Sequence, residues 1–311
     1  MPEVEIVAAC DRRKERAQAA ADRAYSSAGE MFGAEALDFV DVVTQADEHL
    51  ETVALAADRG LAVICQKPLA SDWKTACSMV EIAEKRGIRL MVHDNWRWQP
   101  WYRAAKDFLL RGEVGIPIAY GFQCRTKDGL GDRPYPAQEY FRDLRRFTVD
   151  EVLVHHIDTA RFLFGDIAAV YAEARRVNRR ILGEDQAILT LSHGGGTLGW
   201  IDGNRFADHD ESGPSLDDAR IDGDSGTIRI SPAGDVWSGG RRLWANDRPQ
   251  GYRGDSVYAA QAHFIECLTT GRPFETEARE YLHRTYAVVE AAYASIASHR
   301  RVETAEILQR F

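Results

Sequence analysis

Glu151, His155 and Asp158 recur at helical spacing, so a helix over residues 150–164 places an acid, a histidine and a second acid on one stripe. Leu153, Ile157, Ala160 and Phe164 fall on the opposite stripe and predict a core-facing side. A histidine whose ring is oriented by a carboxylate can act as a general base. A solvated helix face with i,i+4 polar pairs explains the same spacing equally well. His156 lies off the stripe, and no further ligands follow at metal spacing, so no metal centre is expected.

Lys67 comes directly after the apolar run Leu61–Cys65, with Gln66 between them. That position is the carboxyl end of a parallel strand, where open sheets bind ligands. Pro68 keeps Lys67 out of any helix. Taken alone, such a lysine is more often a solvated surface group. Asp11 ends the apolar run Val7–Cys10. An acid there suits the adenine ribose hydroxyls of a dinucleotide, and it suits a helix N-cap as well. Arg12 and Arg13 follow and could meet a 2′-phosphate, which leaves NAD against NADP open with a lean to NAD. Asn95–Tyr102 carries the aromatics Trp96, Trp98, Trp101 and Tyr102, some expected to pack and some to line a cleft. The acidic run Asp208–Glu211 reads as a solvated loop.

These residues need elements to hold them. Val4–Cys10, Phe39–Val43, Leu61–Cys65 and Ile88–His93 read as strands. Between them, Arg12–Tyr25, His49–Arg59 and Trp73–Arg86 read as helices, the last two stopped by Gly60 and Gly87. Strand–helix alternation of this kind gives βαβ units and a parallel sheet. Beyond Asp94 come a helix over Trp101–Leu110 and a strand over Ile116–Arg125, then a helix over Glu151–Phe164 and a strand-rich stretch to Pro232. Gly194–Gly196 reads as a hairpin tip between Ala187–Ser192 and Thr197–Asp202. Asp255–Thr270 and Ala278–Ser298 read as closing helices. The expected fold is therefore α/β: an incomplete dinucleotide-binding, parallel-sheet domain over 1–95 and a mostly antiparallel α+β domain over 96–311.

A net charge of −9 argues against a general nucleic-acid binder. No apolar run is long enough for a membrane span. Five scattered cysteines without a CxxC pair fit a reduced, cytoplasmic chain.

The motifs taken in order resemble the glucose–fructose oxidoreductase / inositol dehydrogenase family, Gfo/Idh/MocA, along the whole chain. PEVEIVAACDRRKERA is similar to its second strand and helix. VDVVTQADEHLETVALAADRG resembles its VDxxxxATPxxxH segment through Thr44 and His49, with Gln45 where proline is usual. VICQKPLA resembles its xxCEKPxA motif, with Lys67 on the catalytic lysine and Gln66 replacing Glu. NWRWQPWYR resembles NxRxxPxY. EVLVHHIDTARFLFG resembles DxGxHxxDxxRxLxG, with His155 on the catalytic histidine, Glu151 where Asp is commoner and Leu153 in place of glycine. GRPFETEAREYLHRTYAVVEAAYAS resembles the closing segment.

The resemblance implies a Rossmann domain followed by a domain whose large sheet often builds homodimers or homotetramers. It implies hydride exchange between NAD, with NADP possible, and a hydroxyl-bearing carbon of a sugar, cyclitol or related polyol. His155 would take the hydroxyl proton and Lys67 would stabilise developing negative charge. Glu151 would orient the site or bind a second hydroxyl. The cofactor set it implies is Asp11, Arg12, Thr44, His49, Gln66, Lys67, Asn95 and Arg97. Trp98 and Asp158 would face the substrate. Lys67, Glu151 and His155 are expected to converge at one cleft.

A non-catalytic, ligand-binding relative is the alternative, and a metal-dependent sugar isomerase using His155, His156 and Asp158 is a weaker third. In the family a strand and a GxGxxG turn precede the segment matching Pro2, and Gly194–Gly196 is not such a turn. The expectation is weak or absent NAD binding by the sequence as written, since helix N-termini and glycine turns normally hold the pyrophosphate. The sheet should then either close Val4–Cys10 against Phe39–Val43 or leave a gap there. Calorimetric titration with NAD and NADP measures the first expectation; micromolar binding of either would mean that another segment cradles the phosphates.

Overall fold

A computed structural model of the chain describes residues 1, 4–208, 217–247 and 254–309. His209, Asp210 and Glu211 of the acidic run lie outside the described residues. The chain forms two compact units, Met1–His93 with Gln261–Leu282, and Asp94–Ala260 with His283–Phe311.

The first unit opens with β1 (Ala9–Cys10), α1 (Lys14–Ala20), β2 (Ala24–Tyr25) and α2 (Ala28–Ala34). It continues with β3 (Phe39–Val42), α3 (His49–Ala57), β4 (Ala62–Gln66), α4 (Trp73–Arg86) and β5 (Leu90–His93). β3, β4 and β5 form a parallel three-stranded sheet with β4 in the centre. Val63, Ile64 and Cys65 are fully buried, as a strand covered on both faces requires. α4 is bounded by local chemistry. The Asp72 carboxylate accepts the Thr75 N–H at 3.0 Å, and Gly87 closes the helix at φ 68°.

β1 and β2 form a separate two-stranded parallel ladder. The expected strand Val4–Cys10 shrinks to Ala9–Cys10, because only there does the backbone find a partner, and it does not pair with β3. The expected helix Arg12–Tyr25 stops at Ala20. Its last residues form β2, so pairing with β1 overrides an Ala- and Arg-rich helical composition. α2 is a further helix that composition did not announce, capped by the Ser27 hydroxyl.

The second unit holds α5 (Pro100–Leu110), β6 (Pro117–Arg125), α6 (Val154–Phe164), β7 (Ile167–Arg175), β8 (Gln186–His193) and β9 (Leu198–Asn204). After these come β10 (Asp217–Gly223), β11 (Thr227–Ile230), β12 (Val236–Ser238) and β13 (Arg241–Trp244). α7 (Gly254–Thr270), α8 (Ala278–Tyr281), α9 (Ala287–Ser298), β14 (Val302–Glu303) and α10 (Thr304–Leu308) complete the chain. Nine strands make one sheet in the order β13-β12-β11-β10-β6-β9-β8-β7-β14, antiparallel except for the β6–β9 pair. Gly194–Gly196 is the tip of the β8–β9 hairpin. β8 alternates as a one-side-covered strand must: Ala187, Leu189 and Leu191 are buried, Ile188 and Thr190 exposed.

The helix expected over 150–164 is not uniform. Thr148–Leu153 is a π-helical turn, and regular α-helix begins at Val154. The polar stripe is largely enclosed as well: Asp158 is as buried as Leu153 and Ile157, Glu151 is 8% exposed, and His155 is part-buried. A solvated polar face is thereby excluded for Glu151 and Asp158.

Segment Gln261–Leu282 packs into the first unit. Phe264 meets Phe39 edge-on at 5.2 Å and stacks on Phe274 at 5.1 Å. The Gln261 amide donates to Asp41 at 2.8 Å, and the Thr276 hydroxyl to the Val92 carbonyl at 2.6 Å.

At the β6–β9 pairing, aromatics and glycines interlock. A Cβ on Gly199 would lie 1.9 Å from the Tyr120 ring, and one on Gly121 2.3 Å from the Trp200 ring. Tyr120 has little room to yield. It is stacked on Phe164 at 4.4 Å, and its hydroxyl is 2.8 Å from His193 Nε2. Gly199→Ala should therefore destabilise the protein by about 1–3 kcal/mol, the usual cost of overpacking. Gly194→Ala, where the nearest atom is 3.9 Å away, should stay within about 0.5 kcal/mol. Denaturant unfolding of the two variants checks this, and equal effects would refute the interlock.

Candidate active site

In the first unit the expected residues stand at the carboxyl ends of the parallel strands. Asp11 follows β1, and its Oδ1 accepts the Arg13 N–H at 2.8 Å. Arg12 is largely exposed and pairs with Glu48 at 2.6 Å, a contact worth little in water. Thr44 follows β3 and is exposed. Gln66 closes β4 opposite His93 of β5, with its Nε2 2.8 Å from His93 Nδ1. Lys67 comes next, joined to Pro68 by a cis peptide bond. His49, expected among the cofactor residues, is fully buried. Its Nδ1 lies 3.1 Å from the Leu69 carbonyl and its Nε2 3.1 Å from the Thr44 carbonyl. It braces, from beneath, the two turns that carry Thr44 and Lys67.

In the second unit the segment Asp94–Trp98 is bound to α6 side chain by side chain. His155 Nδ1 lies 2.6 Å from Oδ1 of the fully buried Asp94. The Trp96 N–H donates to the same oxygen at 3.3 Å, and the Trp96 ring stacks on the His155 imidazole at 5.1 Å and 26°. A carboxyl oxygen on Nδ1 places that nitrogen's proton and leaves Nε2 as the proton acceptor. Asp94 was not among the sequence-derived candidates. Its signal was an acid directly after a strand end, beside the aromatic cluster.

Arg97 and Asp158 meet each other. Their two hydrogen bonds, at 2.6 and 2.7 Å, are buried, and the Thr285 hydroxyl adds a third to Asp158 at 3.0 Å. The substrate role expected for Asp158 has no exposed atom to serve it, because desolvation forces this acid into a bidentate ion pair. Arg97 is equally enclosed, which removes the basis for placing its guanidinium on the cofactor. Asn95 Nδ2 donates to the Ser256 hydroxyl at 2.7 Å. Trp98 lies under the Arg103 guanidinium at 3.7 Å. Glu151 Oε1 accepts from the Tyr140 hydroxyl at 3.1 Å.

His156 points away from this group into the core. Its Nε2 is 2.8 Å from Asp217 Oδ1, while Asp217 Oδ2 accepts from Trp96 Nε1 at 3.0 Å and Tyr102 at 2.8 Å. Burial alone would lower the His156 pKa, but the charge of Asp217 and its hydrogen bond outweigh this and raise it well above the ordinary value. Cys124, His156 and Asp217 bring one ligand atom each within 4.8 Å of one another. Hydrogen bonds already account for that grouping, and 2.8 Å between two of the atoms is closer than ligands around one metal ion stand. His155, His156 and Asp158 bind three different partners, so the isomerase triad does not assemble.

Comparison with known proteins gives the family. Residues 1–94 match the Gfo/Idh/MocA model of oxidoreductases with an NAD-binding Rossmann fold, and residues 102–229 match a C-terminal domain of the same family. A D-apiose dehydrogenase of Paraburkholderia graminis is 37% identical across 96% of this chain and 83% of its own. One from Rhizobium rhizogenes is 35% identical across 97% and 91%. An oxidoreductase from Agrobacterium radiobacter, solved with NAD+, L-tartaric acid and magnesium, superposes with a TM-score of 0.89 at 33% identity, over 97% of this chain and 91% of that one. The chain belongs to the Gfo/Idh/MocA oxidoreductase family and is an NAD(P)-dependent dehydrogenase. The donor set suits NAD: an acid after β1 for ribose hydroxyls, and a hydroxyl, an amide and an ammonium from Thr44, Gln66 and Lys67 after β3 and β4.

Beside Glu151, the carboxyl group of Asp150 is enclosed with Arg146, Glu290 and Glu184. Burial first, then the neighbouring acids, push its pKa up to about 7 against the pull of Arg146. A raised acid holds its proton more tightly when folded. Its contribution to stability is therefore greatest below pH ~4 and is lost as pH rises to about 7. Asp150→Asn should gain stability relative to wild type across that window, by on the order of 2–4 kcal/mol. Unfolding at about pH 4, 5.5 and 8 reads the difference, and a flat difference would contradict it.

Proposed function

We propose that the chain oxidises a secondary or hemiacetal hydroxyl of a small sugar or cyclitol, with His155 as general base. The observation that carries this reading is the Asp94–His155 contact at 2.6 Å, which orients the ring and leaves Nε2 to take the hydroxyl proton. NAD, when bound, accepts the hydride from the same carbon. The hydroxyl oxygen keeps its bonding electrons and becomes the carbonyl oxygen, so one proton and one hydride leave together. Lys67, at the end of β4, is the residue proposed to hydrogen-bond that oxygen as negative charge develops. Glu151 is proposed to bind a neighbouring hydroxyl. Asp11 and Thr44 would hold the cofactor.

The D-apiose dehydrogenases among the relatives support a small polyhydroxylated substrate. Assembly into dimers or tetramers is part of the proposal. The open face of the large sheet, with Tyr171, Ile188 and Trp200 exposed, supports it.

NADH formation with D-apiose, myo-inositol and D-xylose tests the reaction. His155→Ala and Lys67→Ala should each lower kcat roughly 10²–10⁴-fold, far more than they change NAD affinity. Near-normal turnover in either variant would reject its assigned role.

A further inference from the structure

The irregular segment between β6 and the π-helical turn carries four large aromatic residues. Tyr135, Phe141 and Phe147 are buried with Ile181 in a small core of their own. Arg205 closes that core: its guanidinium lies 5.2, 5.6 and 5.5 Å from the three rings, and it pairs with Asp128 at 2.5 Å. Arg142 adds a hydrogen bond to the Pro134 carbonyl, and the Leu182 N–H one to the Arg142 carbonyl. Apart from a 3-10 turn over Glu139–Asp143, side-chain contacts and not strand or α-helix hold this segment.

Tyr140 is the exception among the four. It remains 36% exposed, meets the Phe141 ring in a T-shaped contact at 4.7 Å, and directs its hydroxyl to Glu151 at 3.1 Å. Glu151 stands one turn before His155 on the same helical stretch. We infer that Tyr140 is a substrate-recognition residue whose hydroxyl, shared with the Glu151 carboxylate, binds a substrate hydroxyl one or two carbons from the reacting one. This rests on the dehydrogenase reading above. A phenol that donates to a carboxylate still accepts through its oxygen, so Tyr140 can accept a hydrogen bond from one substrate hydroxyl while Glu151 holds the phenol in place. The exposed ring offers an apolar face to the C–H side of a sugar, as binding sites for such ligands require alongside a few polar groups. Burial beside Glu151 raises the Tyr140 pKa, so its proton is present at neutral pH.

Tyr140→Phe keeps the ring and removes only the hydroxyl. With saturating NAD and the best sugar of the D-apiose, myo-inositol and D-xylose panel, KM should rise at least ~10-fold with kcat within about threefold. Wild type should also discriminate against the deoxy analogue lacking the recognised hydroxyl, and Tyr140→Phe should lose that discrimination. KM does not depend on the fraction of folded enzyme, so partial misfolding cannot mimic the result. An unchanged KM with turnover intact overturns the role of Tyr140 and leaves the dehydrogenase reading standing. If no panel sugar is oxidised, the proposed substrate class fails, and calorimetric titration of the same sugars decides for Tyr140: binding ~10-fold weaker in the variant supports it. Equal binding, or none to wild type, overturns it.

Discussion

The second unit depends on the buried pair between Arg97 and Asp158. It joins a short turn of chain after β5 to the middle of α6, on the same turn whose Asp94 and Trp96 contact His155. Two charges so enclosed are costly to bury, and removing one partner typically costs about 3–5 kcal/mol because the other is left unpaired. The pair is therefore weak evidence of net stability and strong evidence of one arrangement. With Arg97 docked, Trp96 has one place to lie, between His155 and Asp217, and the imidazole is held on its face and at Nδ1.

Much of this was legible in the sequence, and the exceptions have physical causes. α4 and β4 matched expectation because each carries its own boundary: Asp72, Gly87, and a fully apolar run. Lys67 at a strand end and His155 on a helix followed from the same reading. Asp94 did not, because its partner lies sixty-one residues away and no local period links them. Asp158 was misread for the same reason. Helical spacing says which face a residue shares, not whether that face meets water or another charge. β1, β2 and α2 show tertiary pairing overriding propensity in elements too short to have a strong preference.

His49 shows how a family motif can point to the right place for a different cause. Its match with the family segment suggested a ligand contact, whereas its ring spans two backbone carbonyls beneath the strand ends. Both turns it ties belong to residues proposed to hold the cofactor or act on the substrate. Support of that kind commonly decides whether a reactive group is held closely enough to work.

The segment Gln261–Leu282 has a consequence for how the protein is made. The first unit begins at the N-terminus, yet Phe39, Asp41 and Val92 take partners from beyond residue 260. On a ribosome adding ~5–20 residues per second, those partners arrive on the order of ten seconds or more after the strands they cover. Until then the nascent β3–β5 sheet presents apolar surface and strand edges to the cell, a state in which parallel sheets are slow to form and prone to associate. The order of synthesis thus runs against the order of packing, and the first unit to be translated cannot be the first to be finished.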